Sequence, residues 1–312
     1  MRLFLKRLFK TLLVAFILLN VIVICHAYKF THFYNAGEVT LKNKEDKSAW
    51  DKTKEILFGF NFIKSVNSQP DSALKTTYFT TKSGLKLEAW EFPADSGIGT
   101  VALFHGHGGK KSSLLQEAGV FNKLGYHTIL LDFRAHGGSE GNTCTIGYKE
   151  AEDVKLVYDY IAGKGEKNII LYGASLGAAT ITKAINDYTL TPSKVILDMP
   201  FGSLSNAVSS RLKLMGLPAQ PLGTMLTFWG GLENGFWAFS NKPSEYVKKI
   251  KCPVLLQRGG LDPRVTQRET ALIYSNIHTV KKMVIYDHTA HESLCKKETA
   301  KWTAEITSFL QQ

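Results

Sequence analysis

The sequence predicts an α/β fold: an eight-stranded, mostly parallel sheet with helices on both faces and a helical cap insertion. Three observations carry that prediction. Short uninterrupted apolar runs recur along the chain and alternate with helical stretches, the pattern of strands buried on both faces. The first two strands flank Ser83-Gly84, a hairpin signal that gives the sheet an antiparallel start. The interval 201–250 breaks the rhythm without a strand of its own, and a structureless loop of about fifty residues is improbable in a compact domain unless it is functional.

In chain order, residues 1–27 form a targeting or anchoring segment and 28–75 a connector with an accessory helix. In that helix Ser48-x-x-Asp51 is a capping box, Trp50, Ile56 and Leu57 are the apolar positions, and Gly59 is the stop. The domain proper runs over 76–312. Its strands are predicted at Thr76–Lys82, Leu85–Phe92, Val101–Phe104, Thr128–Leu131, Ile169–Tyr172, Val195–Leu197, Val254–Leu256 and Met283–Tyr286. Helices are predicted at Ser112–Lys123, Lys149–Ala162, Leu176–Asp187, Gln267–Ile277 and Lys297–Leu310. The insertion, rich in Leu, Met, Phe and Trp, reads as a helical cap over the strand ends, whose aromatics must also serve as its own core.

The chain has 312 residues, 44% of them apolar and 21% charged, which excludes disordered, collagen-like and disulfide-scaffold proteins. The net charge of +11 is partly local, because Arg2, Lys6, Arg7 and Lys10 stand without an acid in the first 27 residues. The remaining cations fall in short groups spaced among apolar residues, so nucleic acid is not an expected partner. From Thr11 to Ala27 no charge occurs. Basic residues before an apolar run, with Cys25-His26-Ala27 after it, fit a cleavable signal; Thr11 to Tyr28 is also long enough to remain as a single-pass anchor. Either way the cations stay inside, and the catalytic body is expected outside the cytoplasmic membrane. Cys25 lies in the N-terminal segment, and Cys144, Cys252 and Cys295 form no disulfide framework; one pair at most is open, with Cys252 and Cys295 as the candidates.

The chemistry is expected at Gly173-Ala174-Ser175-Leu176-Gly177, which follows a strand and opens a helix, the setting that gives G-x-S-x-G its meaning. A sharp turn there lifts the Ser175 hydroxyl above the sheet, and a hydroxyl needs a base to become a nucleophile. In this topology the acid precedes the base along the chain. Asp262 stands after the seventh strand, with Asp198 as its rival. His291 stands after the eighth, on the loop, with His288 nearer the strand and more suited to a structural hydrogen bond. Oxyanion donors are expected from Leu176 N–H and His107 N–H, the latter in His105-Gly106-His107-Gly108-Gly109.

These motifs, with Asp132-Phe133-Arg134-Ala135-His136-Gly137-Gly138-Ser139, Gly260-x-Asp262 and Ala290-His291-Glu292, come in an order that resembles the α/β-hydrolase superfamily over about Thr76 to Leu310, in particular its bacterial serine hydrolases of the serine aminopeptidase-like type. The resemblance implies a Ser175–Asp262–His291 triad, supporting roles for Asp132, Arg134, His136 and Ser139, no cofactor, and a small-molecule ester as substrate. Arg264 stands where relatives commonly carry a smaller residue. The expected reaction is hydrolysis of carboxylic esters with apolar acyl groups. A thioesterase or lysophospholipase, an aminopeptidase-like amidase and a non-catalytic binding protein are the alternatives. Gly106 to Ser112 lacks the residues of a phosphate loop, no dinucleotide fingerprint follows a strand, and a zinc set of His105, His107, His288 and His291 would leave the Ser175 turn without a role.

Overall fold

The computed structural model describes residues 1–43, 45–70 and 75–312, so positions 44 and 71–74 of the predicted connector lie outside the described residues. A two-residue parallel pair, β1 (Phe33–Tyr34) and β2 (Phe62–Ile63), precedes the main sheet. Then follow β3 (Lys75–Thr80), β4 (Lys86–Phe92), β5 (Thr100–Phe104), β6 (His127–Leu131), β7 (Ile169–Ala174), β8 (Lys194–Asp198), β9 (Val254–Gly259) and β10 (Lys281–Tyr286). Their spatial order is β10-β9-β8-β7-β5-β6-β4-β3. Strands β3–β4 and β4–β6 pair antiparallel, and the rest of that sheet is parallel.

The helices are α1 (Arg2–Thr31), α2 (Ala49–Phe58), α3 (Leu115–Lys123), α4 (Ala151–Gly163), α5 (Leu176–Tyr188), α6 (Leu204–Leu214), α7 (Leu222–Glu233), α8 (Pro243–Tyr246), α9 (Gln267–Asn276), α10 (Leu294–Lys297) and α11 (Thr299–Leu310). Strand side chains alternate between faces, and this splits the core in two. Ala102 and Phe104 of β5 join Val154 and Val157 of α4 and Ile181 of α5. Val101 and Leu103 join Phe121 of α3 and Trp302 and Ile306 of α11. The interior strands β5 to β9 are therefore buried on both sides, which is why their sequences read as continuous apolar runs, whereas the edge strands β3 and β10 are largely exposed.

Strand β5 lies between β6 and β7, so the chain leaves it in opposite directions on its two sides. That switch point opens a crevice at the carboxyl ends of the strands, where α/β sheets bind ligands. The loop after β5 and the turn after β7 both border it.

The segment ahead of the sheet is built into the body. Phe33 is buried in the core, and the His32 region bridges to Thr143. Helix α2 carries the full capping box, with the Ser48 hydroxyl accepting from Asp51 N–H and the Asp51 carboxylate accepting from Ser48 N–H, and it stops at Gly59 with φ 84°. Helix α1 is exposed through Leu18, but Val23, Ala27 and Thr31, one face at a four-residue interval, are buried. Asn20 Oδ1 accepts from Trp229 Nε1 of α7 at 3.0 Å, and His26 Nε2 donates to Ile56 O at 2.8 Å. Between β8 and β9 the chain forms α6, α7 and α8.

Candidate active site

Strand β7 ends at Ala174 and α5 begins at Leu176, so Ser175 alone turns the chain. It does so at φ 51°, ψ −105°, a region that costs a non-glycine residue on the order of 1–3 kcal/mol. The turn is this tight because its neighbours leave no room for side chains. A Cβ at Gly177 would fall 2.1 Å from Phe104 O, and one at Gly173 would fall 2.5 Å from Ala178 N. Ser175 N–H donates to Asp198 O at 2.7 Å, which pins the turn to β8. The hydroxyl does not cap its own helix and is free to face the crevice.

His291 meets it there. His291 Nε2 lies 2.8 Å from Ser175 Oγ, and His291 Nδ1 lies 2.7 Å from Asp262 Oδ2. The other Asp262 oxygen accepts the amides of Arg264 at 2.7 Å and Val265 at 3.0 Å. Burial pushes the Asp262 carboxyl up, but the bond and charge of His291, helped by those two amides, outweigh it and hold the group below its usual value. Asp262 is thus a fixed anion behind the imidazole.

The rival residues lie elsewhere. Asp198 is fully enclosed beneath the site, where Tyr172 Oη donates to it at 2.8 Å, Gln257 Nε2 at 2.7 Å and Trp302 Nε1 at 3.4 Å. Burial drives its pKa up to about 7 against these bonds. His288, expected to be a hydrogen-bonded structural histidine, is exposed, and it is its backbone N–H that bonds, to Glu298. Its position on the outer side of the β10 loop leaves the ring in solvent. Among the described residues no group of three or more His, Cys, Asp or Glu is arranged to hold a metal ion, and the four cysteines are free thiols.

Gly106 lies so close to Ser175 that a Cβ on it would be 3.6 Å from the Ser175 Cβ. The loop it belongs to is tied down by neutral histidines. His136 Nε2 accepts from Gly108 N–H at 3.1 Å while its Nδ1 donates to Arg134 O at 2.9 Å. His105 Nε2 accepts from Phe133 N–H at 3.2 Å while its Nδ1 donates to Gly106 O at 2.7 Å. Burial lowers the pKa of both, that of His105 to about 4, so each ring keeps one tautomer. Beneath them Lys111 Nζ pairs with Asp132 at 2.5 Å and Glu88 at 2.6 Å, and Arg134 pairs with Asp153 and Glu152. His107 lines the cleft, and Leu176 follows Ser175 directly in the chain. The Leu176 amide opens α5, where the first N–H groups have no intrahelical acceptor. The His107 ring stacks on Phe30 of α1 at 5.4 Å, with Nε2 buried and unpartnered and the pKa lowered by burial to about 3.

Two spaces meet at this partition. The cleft over Ser175, about 610 Å³, is lined by Arg211, Arg264, Lys296 and Lys297 as well as His291 and Glu117. Beyond it lies a mainly apolar cavity of about 430 Å³, walled by Ala27 and Phe30 of α1, Val208 and Leu212 of α6 and Leu226 and Gly230 of α7. Arg211 lines both spaces, with its guanidinium 5.8 Å from the Phe30 ring centre. Burial and the neighbouring charge of Arg264 lower its pKa. Among the described residues neither arginine has a carboxylate partner. Of these, the sequence flagged only Arg264. Arg211 and Phe30 carry no motif, and nothing local marks them.

The model of the serine aminopeptidase S33 family matches residues 96–230, which take in Ser175 but not Asp262 or His291. The YqkD protein of Bacillus subtilis is 25% identical over 68% of this chain and 70% of its own. The lysophosphatidylserine lipase ABHD12 of Danio rerio is 25% identical over 64% of this chain and 54% of its own. Among solved structures, the Pyrococcus furiosus esterase Pf2001 superposes with a TM-score of 0.66, covering 80% of this chain and 95% of that one at 22% identity. The chain has the α/β-hydrolase fold and is similar to members of that superfamily. It has the expected eight-stranded, mostly parallel sheet with helices on both sides. It brings Ser175, Asp262 and His291 into one hydrogen-bonded line, with the Gly106–Gly109 loop beside them.

Proposed function

We propose that this hydrolase cleaves carboxylic esters through a Ser175–His291–Asp262 triad and an acyl-enzyme intermediate. The observation that carries the proposal is the continuous line from Ser175 Oγ through both His291 nitrogens to Asp262, at 2.8 and 2.7 Å. In this reading His291 Nε2 takes the hydroxyl proton as Oγ attacks the ester carbonyl. The fixed negative charge of Asp262 stabilises the imidazolium and keeps Nδ1 protonated. The oxyanion is received by the N–H groups of Leu176 and His107, the first of them at the positive end of α5. His291 then protonates the leaving alcohol, and water cleaves the acyl-enzyme by the same relay.

Charge in the cleft favours one class of ester and counts against an amidase that reads a free α-amine. Arg211, Arg264, Lys296 and Lys297 surround the opening. Three carboxylates also line it: Glu117 and Asp198 are shifted upward by burial, which leaves Glu292 as the one exposed acid against four cations. Glu233, one of two acids in the insertion, borders a different pocket. A cationic substrate amine would find repulsion, whereas an ester with an anionic head would find two guanidinium groups without partners. This supports the lysophospholipase reading within the ester class. A binding protein without catalysis has no need of the strained Ser175 turn.

We propose further that the catalytic body lies on the outer side of the membrane, with α1 kept as a single-pass anchor. Cleavage after Ala27 would cut within a helix whose last turns are bonded to α2 and α7 and would remove part of the cavity wall. The test is a matched panel of ester, thioester and anilide with the same acyl group, followed by acylglycerol against acyl-phosphoglycerol. The reading expects ester turnover at least 100-fold above anilide and a preference for the anionic head; anilide turnover equal to ester would overturn it.

A further inference from the structure

We infer that the tip formed by α6 and α7 is sunk in the outer membrane leaflet alongside α1, and that the cavity between them receives the substrate's acyl chain sideways from that leaflet. This rests on reading α1 as a membrane span and Ser175 as an ester-cleaving nucleophile.

The lengths require it. The hydrocarbon core of a bilayer is about 30 Å thick. Between Lys10 and Lys29, α1 carries no Asp, Glu, Lys or Arg, and Thr11–Tyr28 covers about 27 Å at helical rise. The body, however, begins well inside that segment. Asn20 is bonded to Trp229, and Val23 and Ala27 are buried against the body. Of that uncharged stretch only Thr11–Leu18, about 12 Å, stands clear, less than half of what a span needs. If α1 crosses the bilayer, whatever packs on Asn20–Ala27 is in hydrocarbon with it.

What packs there is suited to hydrocarbon. From Leu214 to Leu232 the chain has no charged residue. Leu214, Met215, Leu217 and Leu232 are 48%, 50%, 41% and 58% exposed, and Trp237 beyond them is 61% exposed. In water these would be a costly patch; against lipid tails they are at home. Lys213, at the end of α6, has the stem to reach the headgroups. Polar groups mark the level where the chain leaves the lipid: Lys29 Nζ donates to Tyr34 Oη at 2.8 Å and Asn61 Oδ1 at 2.6 Å, and Asn234 Nδ2 to Thr31 Oγ1 at 3.5 Å.

The cavity sits inside this wedge. Met215 and Leu217 line it and are also exposed, so its mouth opens among the lipid-facing residues. Its other end is the Phe30–Arg211 partition beside the Ser175 cleft. An acyl chain entering at Met215 would lie between α1 and α7 with its carbonyl directed toward Ser175, and each methylene buried would favour binding roughly fourfold.

The experiment uses the full chain, carrying Trp50→Phe to remove an exposed tryptophan outside the tip, in phosphatidylcholine–phosphatidylglycerol vesicles with brominated acyl chains. Bromine should quench the emission of Trp229 and Trp237, and the quenching should vanish when both are also replaced by Phe, leaving the buried Trp90 and Trp302. No quenching beyond that residual would overturn the membrane placement, whatever the activity. The acyl assignment is read with Gly230→Leu, which fills space toward Ala27. The ratio of kcat/KM for dodecanoyl over acetyl nitrophenyl ester should fall roughly tenfold or more, as the loss of two methylene sites requires; an unchanged ratio overturns it. Fluorophosphonate labelling of Ser175 in the same samples separates the two readings. Quenching without labelling would contradict the ester-cleaving reading and leave the membrane placement standing.

Discussion

The Ser175 turn and the cavity beside α1 touch at Arg211, yet they are held by opposite kinds of constraint. The turn is backbone against backbone. A Cβ at Gly177 would strike the Phe104 carbonyl at 2.1 Å, and Ser175 itself sits at positive φ. The cavity is side chain against space. A Cβ at Gly230 would meet nothing closer than the Ala27 Cβ at 4.0 Å. On the proposed reading Ser175 Oγ is a reacting atom that must be placed to within a few tenths of an ångström, which suits a rigid support. A flexible acyl chain needs volume, and the walls that supply it can vary.

The largest expected effect tests the rigid side. Ser175→Ala should lower kcat/KM on esters by about 10⁴ or more, with a residue of activity from the oxyanion donors. Equal turnover by the variant in a stopped assay would end the account of that region. His136→Ala should release the Gly108 amide and shift the neighbouring loop, lowering kcat by about 10²-fold with little change in KM. His136→Gln, which still offers an acceptor, should recover part of the loss; a change confined to KM would argue against a positioning role.

A pair of alanines sharpens the contrast directly. Gly177→Ala should destabilise the fold by about 1–3 kcal/mol or more, because a backbone carbonyl cannot step aside. Gly230→Ala, on α7, should stabilise it by about 0.5–1 kcal/mol through helix propensity. Urea unfolding of both variants reads the two signs, and equal effects would erase the distinction.

The smallest effect is on pH dependence. The Asp198 carboxyl, raised by burial from 3.8 to about 7, keeps a proton in the folded chain that the unfolded chain releases. Stability from this group is therefore full below about pH 4 and declines as pH rises toward 7, by up to about 1.4 kcal/mol per unit. Asp198→Asn should flatten that slope, and urea midpoints at pH 5 and 7 measure it. An identical slope in the variant would mean that the carboxyl is ionised in its Tyr172–Gln257–Trp302 cage.

The same contrast explains what could be read from the sequence. The Ser175 turn is legible because its geometry is dictated within five residues, and Asp262 and His291 follow from their places after strands. The Ser48–Asp51 cap is legible for the same local reason. Phe30, Arg211 and Ala27 are not legible, because they come together only when α1 packs on helices two hundred residues away, and no pattern in one segment records a partner in another. The Thr11–Ala27 run announces an apolar helix but says nothing of its last turns being built into the body. The buried Lys111–Asp132 pair is hidden likewise, since a lysine in a loop ordinarily points to water.

The central claim is that Ser175 is an activated nucleophile. Mass spectrometry of the full chain after fluorophosphonate treatment tests it most directly, beside Ser175→Ala and His291→Ala. The account predicts one adduct on Ser175, absent in the first variant and greatly slowed in the second. An adduct on another residue, or ester hydrolysis that continues in Ser175→Ala, would contradict it.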